Sequence, residues 1–141
     1  MIIDATDLIL GRLAGFAAKR LLVGEPVAIV NAERAVISGG RKATFGMYEA
    51  WLQIRNLANP RKGPFHPKRP DDLVRLTVRG MLPFSRAKGR AAYQRLKVYV
   101  GVPEELKGKE LASVEGAHLG RLGTRRFIRV GELSKHLSAR F

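Results

Sequence analysis

Apolar residues recur at helical spacing early in the chain: Leu10, Leu13, Ala14, Ala17, Ala18 and Leu21 share one face, while Arg12, Gly15 and Lys19 fall on another. This pattern predicts a helix that Gly24 ends, since glycine takes the left-handed cap conformation at little cost. Ahead of it, Ile2 and Ile3 before Asp4 read as a short strand, and Thr6 or Asp7 offers a capping oxygen to the first helical amides. Behind it, Val27 to Val30 is apolar without alternation and β-branched at three of four positions, as expected of a strand covered on both faces. Strand, helix and strand within 30 residues make a βαβ unit, with the two strands parallel and the crossover right-handed.

Further along, Ala35 to Ser38 reads as another short strand closed by Gly39 and Gly40, and Lys42 to Ala58 has helical character around Phe45, Tyr48, Trp51 and Leu52. The pattern then breaks. Pro60, Pro64, Pro67 and Pro70 fix backbone dihedrals and remove amide donors, so Asn59 to Pro70 is expected to be an extended loop, exposed and mobile for want of apolar side chains to dock it. Asp71 and Asp72 open the next helix, where first-turn carboxylates suit the macrodipole and serve as caps rather than catalysts. In that helix Val74, Thr77, Val78 and Met81 are expected to pack inward. Arg75 and Arg79 are like charges one turn apart, an unfavourable pairing unless an anion sits between them. Pro83 terminates this helix, Lys88 to Leu96 resumes one, and Leu96 to Val100 reads as the closing strand. From Gly101 to residue 126 the periodicity fades, which suggests a surface excursion with one helical turn. Phe127, Ile128 and Val130 suggest a short edge strand, and Gly131 to Leu137 a terminal helix.

Charge changes the picture more than composition does. The 141 residues suit one domain, 1–141, able to bury about two thirds of its unfolded surface. Lysine and arginine number 26 against 12 acids, a net charge of +14, which calls for a polyanionic partner. The excess is concentrated: residues 1–54 hold 6 basic and 5 acidic side chains, residues 55–97 hold 12 and 2, and residues 98–141 hold 8 and 5. Within the proline-rich loop Arg61, Lys62, Lys68 and Arg69 face no acidic residue at all. The loop and the helix it enters are therefore read as an RNA contact. No cysteine is present, which removes disulfides, thiolate metal sites and cysteine nucleophiles together. No apolar run approaches the roughly 20 residues of a membrane span, and the N-terminus lacks a basic leader, so no membrane partner and a cytoplasmic location are expected.

Enzyme chemistry finds little support. A dinucleotide fold needs glycines directly after the first strand so that backbone amides reach the pyrophosphate, and here that turn is ATDLILG. Gly39 and Gly40 followed by Arg41 and Lys42 resemble a phosphate-binding helix start, but glycine pairs punctuate strands routinely and a plain turn is preferred. His66, His118 and His136 lack the spacing of metal ligands. His66, inside the basic loop, suits a stacking or phosphate contact better than a base for RNA cleavage, which would want a second catalytic group. Phe65 and Phe84 flank the basic helix as candidates for stacking on unpaired bases, with a core anchor the alternative for Phe84. An RNA-processing enzyme using the same surface remains the alternative function. A duplex-DNA reader would want a recognition helix opening on Asn, Gln or Arg.

Several stretches carry a resemblance. NPRKGPFHPKRP at residues 59–70, VRGMLP at Val78 to Pro83 and RLKVYVGVP at Arg95 to Pro103 resemble the universal large-ribosomal-subunit protein numbered thirteen in the bacterial scheme. LGRLA at Leu10 to Ala14 and VNAERAVISG at Val30 to Gly39 match it too. The similarity covers roughly Met1 to Pro103, departs at Ser85 to Ala87, and by its short link LLVGEPVAIVNAE and its basic proline loop is of archaeal type. It implies an α/β fold of three layers, α/β/α, around a small, mainly parallel four-stranded sheet, with a less regular extension over 104–141. It also implies a structural place in the large subunit, contact with 23S-type rRNA and neighbouring large-subunit proteins, and no catalysis, cofactor, metal or small-molecule substrate. Arg61, Lys62, Lys68, Arg69, Arg79 and Arg95 stand in matching stretches as rRNA contacts, and Gly80 as a position where a side chain would obstruct packing. Arg55, His66, Arg75, Arg86, Lys88 and Arg90 complete the expected RNA-binding surface by their place in the basic segment.

Overall fold

In the computed structural model, which describes residues 1–141, the βαβ opening is present with its two strands parallel. Strand β1 (Ile2–Asp4), helix α1 (Leu10–Val23) and strand β2 (Val27–Val30) follow one another, with Ile2 opposite Ala28 in parallel register. All six apolar residues of the α1 stripe are buried, and Gly24 caps the helix at a φ of 106°. The start of α1 differs from expectation. Neither Thr6 nor Asp7 caps it: Thr6 donates its amide and hydroxyl to the Asp4 carboxylate, Asp7 binds Arg129 at 2.9 Å, and Ile9 takes the cap position.

The sheet is smaller than the resemblance implied. Strand β4 (Leu96–Val98) joins β2 in parallel, giving the order β1–β2–β4 and three strands rather than four. Strand β3 (Val36–Ser38) pairs antiparallel with β5 (Phe127–Arg129) in a separate two-stranded sheet. The cause lies in the link after β2: Asn31 adopts φ 55° and a 3₁₀ turn over Ala32–Arg34 redirects the chain. The outer edge of β1 meets only Ala112, through one parallel bridge. Asn31 also joins the carboxylate of Asp4, its side-chain amide donating at 2.9 Å. Burial raises the Asp4 pKa, yet the bonds from Asn31 and Thr6, with the nearby Arg34 charge, more than reverse this and hold it below 3.8.

Helix α2 (Arg41–Gln53) stops short of the expected Ala58, because the next apolar residues find nothing to cover: Ile54 is 58% and Leu57 88% exposed. Helix α3 (Pro70–Gly80) begins with proline at its first position, where the missing amide is harmless, and carries Asp71 and Asp72 in its first turn. It buries Leu73, Val74 and Val78. Met81 was expected among them but lies beyond the last turn and is exposed. Helix α4 (Ala87–Gln94) packs with α1 and α3 on the parallel sheet, and α5 (Val130–His136) follows β5 directly. Gly80 does not obstruct anything, since a β-carbon there would meet open space. The close approach belongs to Gly89, where a β-carbon would stand 2.0 Å from the Pro83 carbonyl oxygen.

Residues 104–126 are more than an excursion. They form two 3₁₀ turns, Glu104–Leu106 and Leu119–Arg121, and bury Val114 and Ala117. Ala117 accepts from the Ile9 amide at 2.7 Å, and Leu119 donates to Asp7 at 2.8 Å. One contiguous apolar cluster therefore runs from Ile3 to Leu137. No helix is long and apolar enough to cross a membrane.

Candidate nucleic-acid interface

The proline-rich segment is extended except for one 3₁₀ turn at Pro60–Lys62, which lifts Arg61 and Lys62 into solvent. Its second half is docked, contrary to the expectation of a wholly exposed loop. Pro67 and Pro70 are buried, and the fully buried Ser134 of α5 donates its hydroxyl to the Lys68 carbonyl, so a backbone anchor stands in for apolar side chains. The Lys68 side chain remains exposed. Arg69 is not free of acids: it pairs with Asp71 at 3.1 Å, because the helix-opening carboxylate lies two residues on.

His66 is committed inside the protein. Its ring stands edge-on to Trp51 with centroids 4.5 Å apart, and Nε2 lies 2.8 Å from the Ile54 carbonyl. A carbonyl only accepts, so Nε2 carries the hydrogen, and Nδ1 is buried without a partner. The imidazole thus fastens the loop to the end of α2, beside the exposed Arg55.

On α3 each member of the like-charged pair lies over an aromatic ring. Arg75 lies over Tyr93 at 5.5 Å and Arg79 over Phe84 at 4.1 Å, each drawn to a negative ring face. Phe84 in turn meets Tyr93 edge-on, so it is held among these side chains, whereas Phe65 is 85% exposed. At α4, Arg86 and Lys88 are exposed and Arg90 donates to the Ser85 carbonyl at 3.0 Å. Arg95 reaches the Leu21 carbonyl at the end of α1, where a cation suits the helix terminus.

Of the eleven arginines and lysines predicted from the sequence, Arg69 alone has a carboxylate within ion-pair distance. Elsewhere five of fifteen, Arg20, Arg34, Arg41, Lys107 and Arg129, have an acidic partner. Sequence reasoning passed over Arg125 and Arg126. They meet Gly39, Gly40, Arg41 and Lys42 around an open cleft of about 620 Å³. The contact depends on β3 pairing with β5, a long-range match that no local signal announces. The Gly39–Gly40 turn itself is as read, with Gly39 at φ 124°. His136 packs on Phe45 and bonds Glu49 at 2.6 Å, and His118 accepts from the Gly120 amide.

A small, strongly basic α/β protein whose central cations lack acidic partners is the class that this fold and surface define. Comparison with known families and proteins narrows it. A family model described as ribosomal protein L13 matches residues 1–105. Large ribosomal subunit protein uL13 of Methanococcoides burtonii is 51% identical over 140 residues, covering 99% of both chains. The proteins of the same name from Methanosarcina barkeri and Methanocaldococcus jannaschii are each 48% identical over 141 residues, covering 99% of this chain and 99% and 98% of theirs. The chain belongs to the ribosomal protein L13 family, which is structural rather than enzymatic.

Proposed function

We propose that the protein is a structural constituent of the large ribosomal subunit, a single domain over 1–141 that binds 23S-type rRNA through residues 55–95, adjoins neighbouring large-subunit proteins and supports subunit assembly. The observation that carries the rRNA reading is the set of unpaired cations. Ten arginines and lysines from Arg55 to Arg95 have no carboxylate within reach, in a segment that holds only two acidic residues, Asp71 and Asp72. Such a surface is complete only against an external polyanion. The relatives are large-subunit proteins by name, which supports large-subunit rRNA as that polyanion.

Phosphate contacts release counterions, so affinity falls with salt at a slope set by the number of contacts. Replacing Arg61, Lys62 and Lys68 together with glutamine is expected to flatten the log–log salt slope by roughly two units, at about 0.7 to 0.9 per contact. Arg69→Gln alone is expected to change it less, because Asp71 already occupies that guanidinium. The measurement is a salt titration of binding to large-subunit rRNA. An unchanged slope in the triple variant would place the RNA surface elsewhere.

A further inference from the structure

We propose that the groove between Phe65 and α4 holds one unpaired guanine nucleotide of the bound RNA; this rests on the RNA-binding function proposed above and states which part of the RNA enters. The groove, of about 250 Å³, is lined by Phe65, Pro67, Asp72, Arg75, Leu76, Arg79 and Tyr93. Three features in it lack a stacking, hydrogen-bonding or ion-pair partner within the chain. The Phe65 ring, 85% exposed, stacks on no other ring and sits on backbone stiffened by Pro64 and Pro67. Arg75 Nε is buried and has no hydrogen-bond partner. Asp72 is the one carboxylate of residues 55–97 outside any ion pair, even though Arg75 is three residues along the same helix and is held over Tyr93 instead.

A nucleotide supplies what each of the three lacks. A base offers Phe65 an aromatic face, and its phosphate offers acceptors to Arg75 and Arg79. The carboxylate selects the base. Guanine alone among the four presents two adjacent N–H donors, N1–H and the N2 amine, matching the two oxygens of Asp72. Adenine and cytosine set a ring-nitrogen lone pair beside their amine, and uracil flanks its single N–H with carbonyls, so each brings an acceptor against the carboxylate. The guanine must be unpaired, because a duplex consumes that same edge.

The test uses the full chain and fluorescently labelled single-stranded RNA nonamers of uridine with one central guanine, inosine or adenine. The guanine oligomer is expected to bind about tenfold tighter than the adenine one, with inosine, which lacks the N2 amine, between them. Asp72→Asn is expected to abolish the preference and leave binding of plain oligouridine undiminished, with thermal melting confirming that the variant is folded. Phe65→Leu is expected to weaken guanine and adenine oligomers alike, by about tenfold, through lost stacking. Equal affinities for guanine and adenine, or a preference that Asp72→Asn leaves intact, overturns the assignment. If that happens while large-subunit rRNA still binds with a slope reduced in the Arg61, Lys62 and Lys68 variant, the groove fails and the RNA-binding function stands. If neither the oligomers nor the rRNA bind, both fail.

Discussion

A methyl group at position 89 would meet a backbone carbonyl, not a yielding side chain. The Pro83 oxygen is itself held by the Arg86 amide at 3.0 Å, so the loop between α3 and α4 has nowhere to move. Gly89→Ala is expected to cost about 3 kcal/mol, the upper part of the overpacking range. Gly80→Ala meets open space at the end of α3 and is expected to stabilise by about 0.4 to 1 kcal/mol through the unfolded state. Urea melts of both variants with an unchanged denaturant slope distinguish the two outcomes. Asp4 makes a third case. Its folded pKa is depressed, so its contribution is present above pH 3.8 and lost as pH falls through the folded value below that. Asp4→Asn is expected to lower stability at neutral pH by about 1 kcal/mol, and the gap from the parent should close in acid. Melts from pH 7 to pH 3 check this; a gap that stays constant would mean the carboxylate charge is immaterial there.

At the scale of elements, the proline-rich segment divides into a largely exposed stretch, Asn59 to Phe65, and a docked one that begins at His66. Trypsin is therefore expected to nick the folded protein within this segment at Arg61 or Lys62 before the Lys68–Arg69 bond, whose carbonyl is held by Ser134. Ser134→Ala should even the two rates and cost about 1 to 3 kcal/mol, because it strands a buried acceptor. Mass spectrometry of early fragments gives the order. The same contrast explains what was legible beforehand. Helix α1 and strands β1 and β2 were readable because their apolar periodicity is set by local geometry and burial on one side or both. The docking of Lys68 was not, since Ser134 lies 66 residues away and nothing in either stretch refers to the other. The α1 cap misled because Thr6 and Asp7 are good capping types, but Thr6 turns back onto nearby Asp4 and Asp7 is taken by Arg129 from 122 residues away. The basic residues of the candidate interface were legible individually from charge. Their aromatic supports were less so: Arg75 over Tyr93 depends on how α3 meets α4, while Phe84, legible as a flank of the basic helix, turns back over Arg79 from the link between them.

For the whole molecule, the core extends well past the stretch matched by the family model. Val114, Ala117, Ile128, Val130, Leu133 and Leu137 are all buried, and all lie beyond residue 105. Ending the chain after Pro103 is expected to abolish cooperative unfolding, which circular dichroism during thermal melting would show. A truncated chain that still melts sharply would make residues 104–141 an appendage.

The pairing of β3 with β5 also governs when the molecule can exist during its own synthesis. Ile37 finds Ile128 only after some ninety intervening residues have been made, a long loop to close and a slow contact to form. Until the last few dozen residues leave the exit tunnel, the nascent chain carries its most cationic third exposed and an unpaired strand edge beside it. For that interval the growing polypeptide is both sticky and strongly charged, and an early encounter with the RNA proposed above as its partner would cover that charge before the last strand pairs.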